Sequence, residues 1–163
     1  MYIRKANIHD LSEILSLYDG ARDFMVRTGN PNQWAARGWP PDELIRQDIE
    51  QGKSYVCVGE DGTPEAVFYY EFGDRIDHNY GWIDGAWRSD KPYGVVHRIA
   101  AKGGKGAGRF CIQWAYDQCG YLRMDTHEDN RIMQKCLKDL GFAYCGVIRI
   151  VEDTFPRLAY DKL

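Results

Sequence analysis

The apolar run Val95-Val96-His97-Arg98-Ile99-Ala100 leads into Gly103-Gly104-Lys105-Gly106-Ala107-Gly108, and residues spaced for a helix follow. A strand, a glycine-rich turn and a helix in that order can hold an anion. Glycines let the backbone bend so that successive N–H groups converge, and the helix dipole adds partial positive charge at the same point. The arrangement suits a pyrophosphate. Each N–H to a charged oxygen is worth roughly 1.5–3 kcal/mol. Lys102, Lys105 and Arg109 add cations beside it. Two common nucleotide motifs are excluded by spelling. A Walker loop needs G-x-x-x-x-G-K-[ST], whereas Gly108 is followed by Arg109 and Phe110. The dinucleotide fingerprint G-x-G-x-x-G fails from Gly104, which reaches Arg109, and from Gly106, which reaches Cys111. A glycine-rich turn before a helix is also an ordinary way to end a strand, so the loop alone leaves both readings open.

The five cysteines, Cys57, Cys111, Cys119, Cys136 and Cys145, are scattered, with no C-x-x-C and no histidine at zinc-ligand spacing. They read as small buried hydrophobes in a reducing compartment, and no metal site is expected. The chain has 163 residues, enough for one domain over 1–163 with a sizeable core. Its net charge of −3 argues against a general nucleic-acid binder, because phosphate affinity rests on a basic surface. No apolar run is long enough to span a bilayer, so no membrane partner is expected. The segment Met1–Ala6 lacks the pattern of a signal peptide, which makes the cytoplasm the expected location.

The elements that must position the glycine turn follow from hydrophobic periodicity. Tyr2–Lys5 alternates as a first strand. Asn7 can cap a helix with Asp10 in its first turn and Leu11, Ile14, Leu15 and Tyr18 at helical spacing, running to Phe24 or Met25. Asn30–Pro41 is rich in turn residues and holds Trp34 and Trp39, which either plug the core edge or line a pocket. Asp42 is placed to cap a second helix closed by Gly52. Ser54–Gly59 and Thr63–Glu71 read as strands joined by the hairpin Glu60-Asp61-Gly62. A short strand is expected around Trp82-Ile83, and Tyr93–Ala101 is a central strand. After the glycine loop come a helix bearing Phe110, Cys111, Trp114, Ala115 and Cys119, then a strand at Leu122–Asp125. A last helix capped by Asp129 or Asn130 ends at Gly141, and closing strands span Phe142–Val151 and Arg157–Leu163. The order β-α-α-β-β-β-α-β-α-β-β implies a mixed sheet of the α/β or α+β class.

With the glycine turn, the stretch Asp125-Thr126-His127-Glu128-Asp129-Asn130-Arg131-Ile132-Met133 and the later Leu140-Gly141-Phe142, the chain resembles the GNAT superfamily of acetyl-CoA-dependent N-acetyltransferases. In that family's [Q/R]-x-x-G-x-[G/A] motif, Gly106 and Gly108 fill the small positions. Gly103 stands where Gln or Arg is usual, with Lys102 and Lys105 as nearby basic residues. The resemblance implies a mostly antiparallel mixed sheet, flanked by helices and splayed between its fourth and fifth strands. Acetyl-CoA would lie there as co-substrate. Its pyrophosphate would meet the backbone of Lys105, Gly106, Ala107, Gly108 and Arg109, its pantetheine would run beside Val96–Ala100, including Ile99 and Ala100, and Asn130 would face it. The family's usual tyrosine acid falls here on Leu137.

The implied reaction moves an acetyl group to a primary amine of a small molecule or peptide by direct attack. A lysine-like amine has a pKa of about 10.4, so making it neutral at pH 7 costs roughly 4.6 kcal/mol and calls for a base. His97 is the first candidate, because its strand borders the implied acetyl site and imidazole titrates near neutrality. Glu71 and Asp84 stand behind it. The region implied for the acceptor carries Trp34, Tyr70 and Trp82, with Trp39, Tyr80, Trp87, Asp74 and Asp77 nearby, and aromatics with carboxylates suit a cationic amine. A non-catalytic acyl-CoA-binding module on the same fold, and transfer of a larger acyl group or to a hydroxyl, are the alternatives. A homodimer is compatible with all of them.

Overall fold

A computed structural model describes residues 1–163. In chain order it contains β1 (Tyr2–Lys5), α1 (Leu11–Arg27), α2 (Asp42–Glu50), β2 (Ser54–Val58), β3 (Pro64–Gly73), β4 (Asp84–Gly85), β5 (Tyr93–Ala101), α3 (Ala107–Cys119), β6 (Leu122–His127), α4 (Arg131–Asp139), β7 (Ala143–Arg149) and β8 (Pro156–Lys162). The strands make one mixed sheet in the order β1-β2-β3-β5-β6-β8-β7-β4. β5 and β6 run parallel and pair at Gly94–Leu122 and Val95–Arg123, while β1–β2, β2–β3, β6–β8, β7–β8 and β4–β7 are antiparallel. The chain gathers into two compact units. The first is Met1–Tyr70 with His97–Ile112, and the second is Glu71–Val96 with Gln113–Leu163.

In the first unit the apolar stripes of α1 and α2 bury Ile14, Leu17, Tyr18, Ile45 and Ile49 against Val56, Val58, Val67 and Ala100. Asn7 caps a single 3-10 turn, Ile8–Asp10, rather than α1 itself. Its side chain accepts from His9 N at 2.9 Å, and Asp10 accepts from Asn7 N at 2.9 Å. Asp10 is then engaged by Arg4, and α1 starts only at Leu11. The expected cap Asp42 is the first residue of α2, because the extended Pro41 occupies the capping position. The β2–β3 hairpin turns where expected: Gly62 takes a φ of 81°, and Asp61 accepts from Thr63 N at 3.0 Å and from its hydroxyl at 2.8 Å.

The second unit buries several polar side chains among its apolar ones. Arg123 lies among three aromatic rings, 4.0 Å from Tyr93, 4.4 Å from Trp87 and 5.2 Å from Tyr121. It also donates to the Ser89 carbonyl at 2.7 Å. Asp161 is wholly buried and accepts from the Arg88 backbone and guanidinium and from the Tyr121 hydroxyl. These contacts pin the segment before β5, which carries almost no regular structure of its own. The short strand expected around Trp82-Ile83 lies instead at Asp84–Gly85, where the backbone pairs with Val147 and Gly146 of β7.

Candidate functional site

The glycine turn forms as the sequence predicts. Gly104 and Gly106 have φ of 90° and 72°, a region open to glycine at no steric cost, and α3 begins at Ala107. The first intrahelical bond runs from Phe110 N to the Gly106 carbonyl at 3.0 Å, so the N–H groups before it are those a helix leaves for an external acceptor. A Cβ placed at Gly103, Gly104 or Gly106 would meet no atom within 4 Å, which leaves this backbone approachable. Gly108 is closer to its surroundings, with Ala101 Cβ 3.7 Å from such an atom. The fit to a diphosphate is therefore good, with exposed Lys102 and Arg109 beside it.

Lys105 has a further task that the sequence did not disclose. Its ammonium donates to Glu65 Oε1 at 2.9 Å, while the Glu65 carbonyl accepts from Lys102 N at 2.8 Å. Glu65 is buried on β3, so the contact ties both ends of the turn to the sheet and holds the Lys105 pKa above its usual value. A concavity of about 460 Å³ beside Lys105 is lined also by Met1, Glu60 and Asp61. Its two carboxylates make it unsuited to a phosphate, which favours the helix side of the turn.

Upstream on β5, His97 is half-buried, with its ring 6.0 Å from that of Tyr69. Ile99 is half-buried, and Ala100 belongs to the core of the first unit. Between His97 and Ile99, Arg98 has a φ of 50°. A left-handed backbone costs an L-residue on the order of 1–2 kcal/mol. Opposing that cost, the Tyr18 hydroxyl donates to the Arg98 carbonyl at 2.8 Å, and Asp48 accepts from Arg98 Nε at 2.9 Å and Nη2 at 3.0 Å. The guanidinium also lies 4.5 Å from the Tyr69 ring. Burial pushes the Asp48 carboxyl up, against the pull of Arg98 and His97. Burial likewise pushes the Tyr18 phenol well up, which keeps it a donor. Asp48 had a legible signal: an acid between Ile45 and Ile49 lies on the apolar stripe of α2, where a charge needs a partner.

The remaining candidates divide between the two units. In the first, Trp34 is only 6% exposed and packs edge-on to Tyr18, so it is a core residue. Tyr70 is buried edge-on to Tyr55. In the second, Trp82 is 53% exposed with the Arg149 guanidinium 5.6 Å from its ring, Glu71 is half-buried, and Asp84 is exposed on β4. The Tyr80 hydroxyl donates to Asp125 at 2.6 Å. His127 is buried, and its Nδ1 accepts from Asp129 N at 3.0 Å, the place of a strand-end residue. Leu137 is fully buried, so no acid stands at that position.

Of the two caps the sequence allowed, Asn130 is the one used: its side chain accepts from Met133 N at 3.1 Å at the start of α4. Asn130→Ala is expected to lower stability by about 1 kcal/mol, read as a fall in Tm. If the residue also faces acetyl-CoA, the KM for acetyl-CoA rises as well. A Tm change alone assigns Asn130 to capping.

No group of three or more His, Cys, Asp or Glu side chains is arranged to hold a metal ion, and no helix is long and apolar enough to cross a membrane. No protein-family profile matches the chain, and no curated protein matches it. Solved structures do. A GNAT-family acetyltransferase from Streptococcus agalactiae is 31% identical over 99% of this chain and 94% of its own, with a TM-score of 0.88. A GNAT-family acetyltransferase from Listeria monocytogenes is 19% identical over 99% and 93%, with a TM-score of 0.71. A ribosomal-protein-alanine N-acetyltransferase from Brucella melitensis is 17% identical over 100% and 99%, with a TM-score of 0.65. The last two share the fold.

Proposed function

Since the chain belongs to the GNAT family of acetyltransferases, we propose that it transfers the acetyl group of acetyl-CoA to a primary amine by direct attack. The glycine turn carries this reading: a left-handed Gly106 opens directly into α3, with its backbone approachable and cations on either side. Lys105, Gly106, Ala107, Gly108 and Arg109 would hold the pyrophosphate, and Ile99 and Ala100 would flank the pantetheine. Acetyl-CoA supplies an activated thioester. His97 accepts the amine's proton, directly or through a water, so that the neutral nitrogen forms the new C–N bond as the C–S bond breaks. A thiol of pKa near 8.5 leaves tolerably at neutral pH, which lessens the need for the acid that Leu137 does not provide.

That missing acid is also what favours a second reading, an acyl-CoA-binding module without catalysis. Thiol release from acetyl-CoA across a panel of small-molecule and peptide amines separates the two. Amine-dependent release, with the acceptor gaining one acetyl group by mass, supports the transferase. Binding without amine-dependent release supports the module.

A further inference from the structure

A residue inside a strand ordinarily has a φ near −120°. Arg98 has a φ of 50° in β5, although its neighbours continue the strand on both sides. Backbone strain of this kind persists where surrounding contacts over-determine it, and such sites cluster where geometry matters for function. Here the contacts come from three elements of one compact unit. Tyr18 of α1 holds the Arg98 carbonyl, Asp48 of α2 holds two guanidinium nitrogens, and Tyr69 of β3 lies against the guanidinium face. The kink stands between His97, the base of the proposed reaction, and Ile99 and Ala100, which would flank the pantetheine. A left-handed residue inside a strand also breaks the regular alternation of side chains. The dihedrals of Arg98 therefore set how His97 is directed relative to Ile99.

We propose that Tyr18 and Asp48 are positioning residues for acyl transfer, clamping Arg98 in its left-handed conformation so that His97 and the peptide groups of residues 97–99 are aimed at the thioester. This rests on the transferase reading above. Neither residue touches the reacting atoms. Both act through Arg98. Misplacement by about 1 Å costs on the order of a hundredfold in rate, so the clamp's effect belongs in kcat.

Tyr18→Phe removes one hydroxyl and keeps the ring beside Trp34. It is expected to lower kcat ten- to hundredfold, to leave the KM for acetyl-CoA within about twofold, and to shift Tm by no more than about 5 °C. Asp48→Asn should lower kcat in the same way. Adding Arg98→Gly to Asp48→Asn should then restore part of the lost kcat, because glycine takes a positive φ without steric cost. An unchanged kcat in Tyr18→Phe overturns the proposal. So does a joint loss of kcat, KM and Tm, which marks a merely structural role, and so does a double variant with no recovery, which assigns the loss to the guanidinium itself. Failure of the transferase reading looks different: the unaltered protein then releases no thiol from acetyl-CoA with any amine, and the proposal falls with it.

Discussion

His97→Ala is expected to turn over about a hundred- to ten-thousand-fold more slowly than the unaltered protein at pH 7, the usual worth of a positioned base. The imidazole is half-buried on β5 beside Tyr69, two residues before Ile99. Affinity for CoA should be unchanged, since the glycine turn is untouched. The pH dependence separates a base from a structural residue. At pH 7 an amine of pKa near 10.4 is almost wholly protonated, and removing its proton costs about 4.6 kcal/mol. As pH rises toward that pKa, solvent supplies neutral amine and the penalty for lacking a base shrinks. The rate deficit of His97→Ala should therefore be much smaller at pH 9.5 than at pH 7. An equal deficit at both pH values would make His97 structural and pass the role to Glu71 or Asp84.

The largest stability effect is expected at the crossing of β4 and β7. Gly85 and Gly146 lie opposite each other with φ of 130° and 142°. A Cβ on Gly146 would stand 2.1 Å from the Asp84 carbonyl oxygen, and one on Gly85 would stand 2.1 Å from the Cys145 carbonyl oxygen. These obstacles are backbone, so no side-chain rotation relieves them. Gly146→Ala is expected to lose on the order of 4 kcal/mol or more, because one backbone must move away from the other to admit the methyl group. For a chain of this size that is a fall in Tm of roughly 10 °C. Thermal unfolding followed by circular dichroism reads it directly. A Tm within about 2 °C of the parent would mean that the two backbones do not approach so closely.

These sites differ in how far the sequence disclosed them, and the difference is one of range. The glycine turn and the β2–β3 hairpin are written in residues a few positions apart, so spacing alone places them, and it narrows the cap of α4 to Asp129 or Asn130. The end of α4 is equally local: Gly141 takes a φ of 85°, and Phe142 N reaches back to the Leu137 carbonyl at 3.0 Å. The kink at Arg98 is not local. Its partners Tyr18 and Asp48 lie 80 and 50 residues away, and an arginine in an apolar run gives no hint of a positive φ. β4 is hidden for the same reason, since Asp84 and Gly85 have little strand propensity and are a strand only because Val147 and Gly146 pair with them. The tryptophans show a third limit. Composition cannot tell a core plug from a pocket wall, and burial assigns Trp34 to the core while leaving Trp82 exposed.

Whether the glycine turn holds acetyl-CoA is read most directly by calorimetry on the unaltered protein and on Gly106→Val. Gly106 has a φ of 72°, which a β-branched residue resists, and a side chain there would keep a pyrophosphate from the backbone N–H groups. Losing even two such charge-assisted bonds amounts to about 3 kcal/mol or more, a weakening of at least roughly a hundredfold. The expected result is binding to the unaltered protein, and at least that loss in Gly106→Val, with circular dichroism preserved and Tm lower by roughly 2–8 °C from the strained φ. Equal affinity in the two proteins, with the variant's fold intact, would contradict the assignment of this turn as the cofactor site.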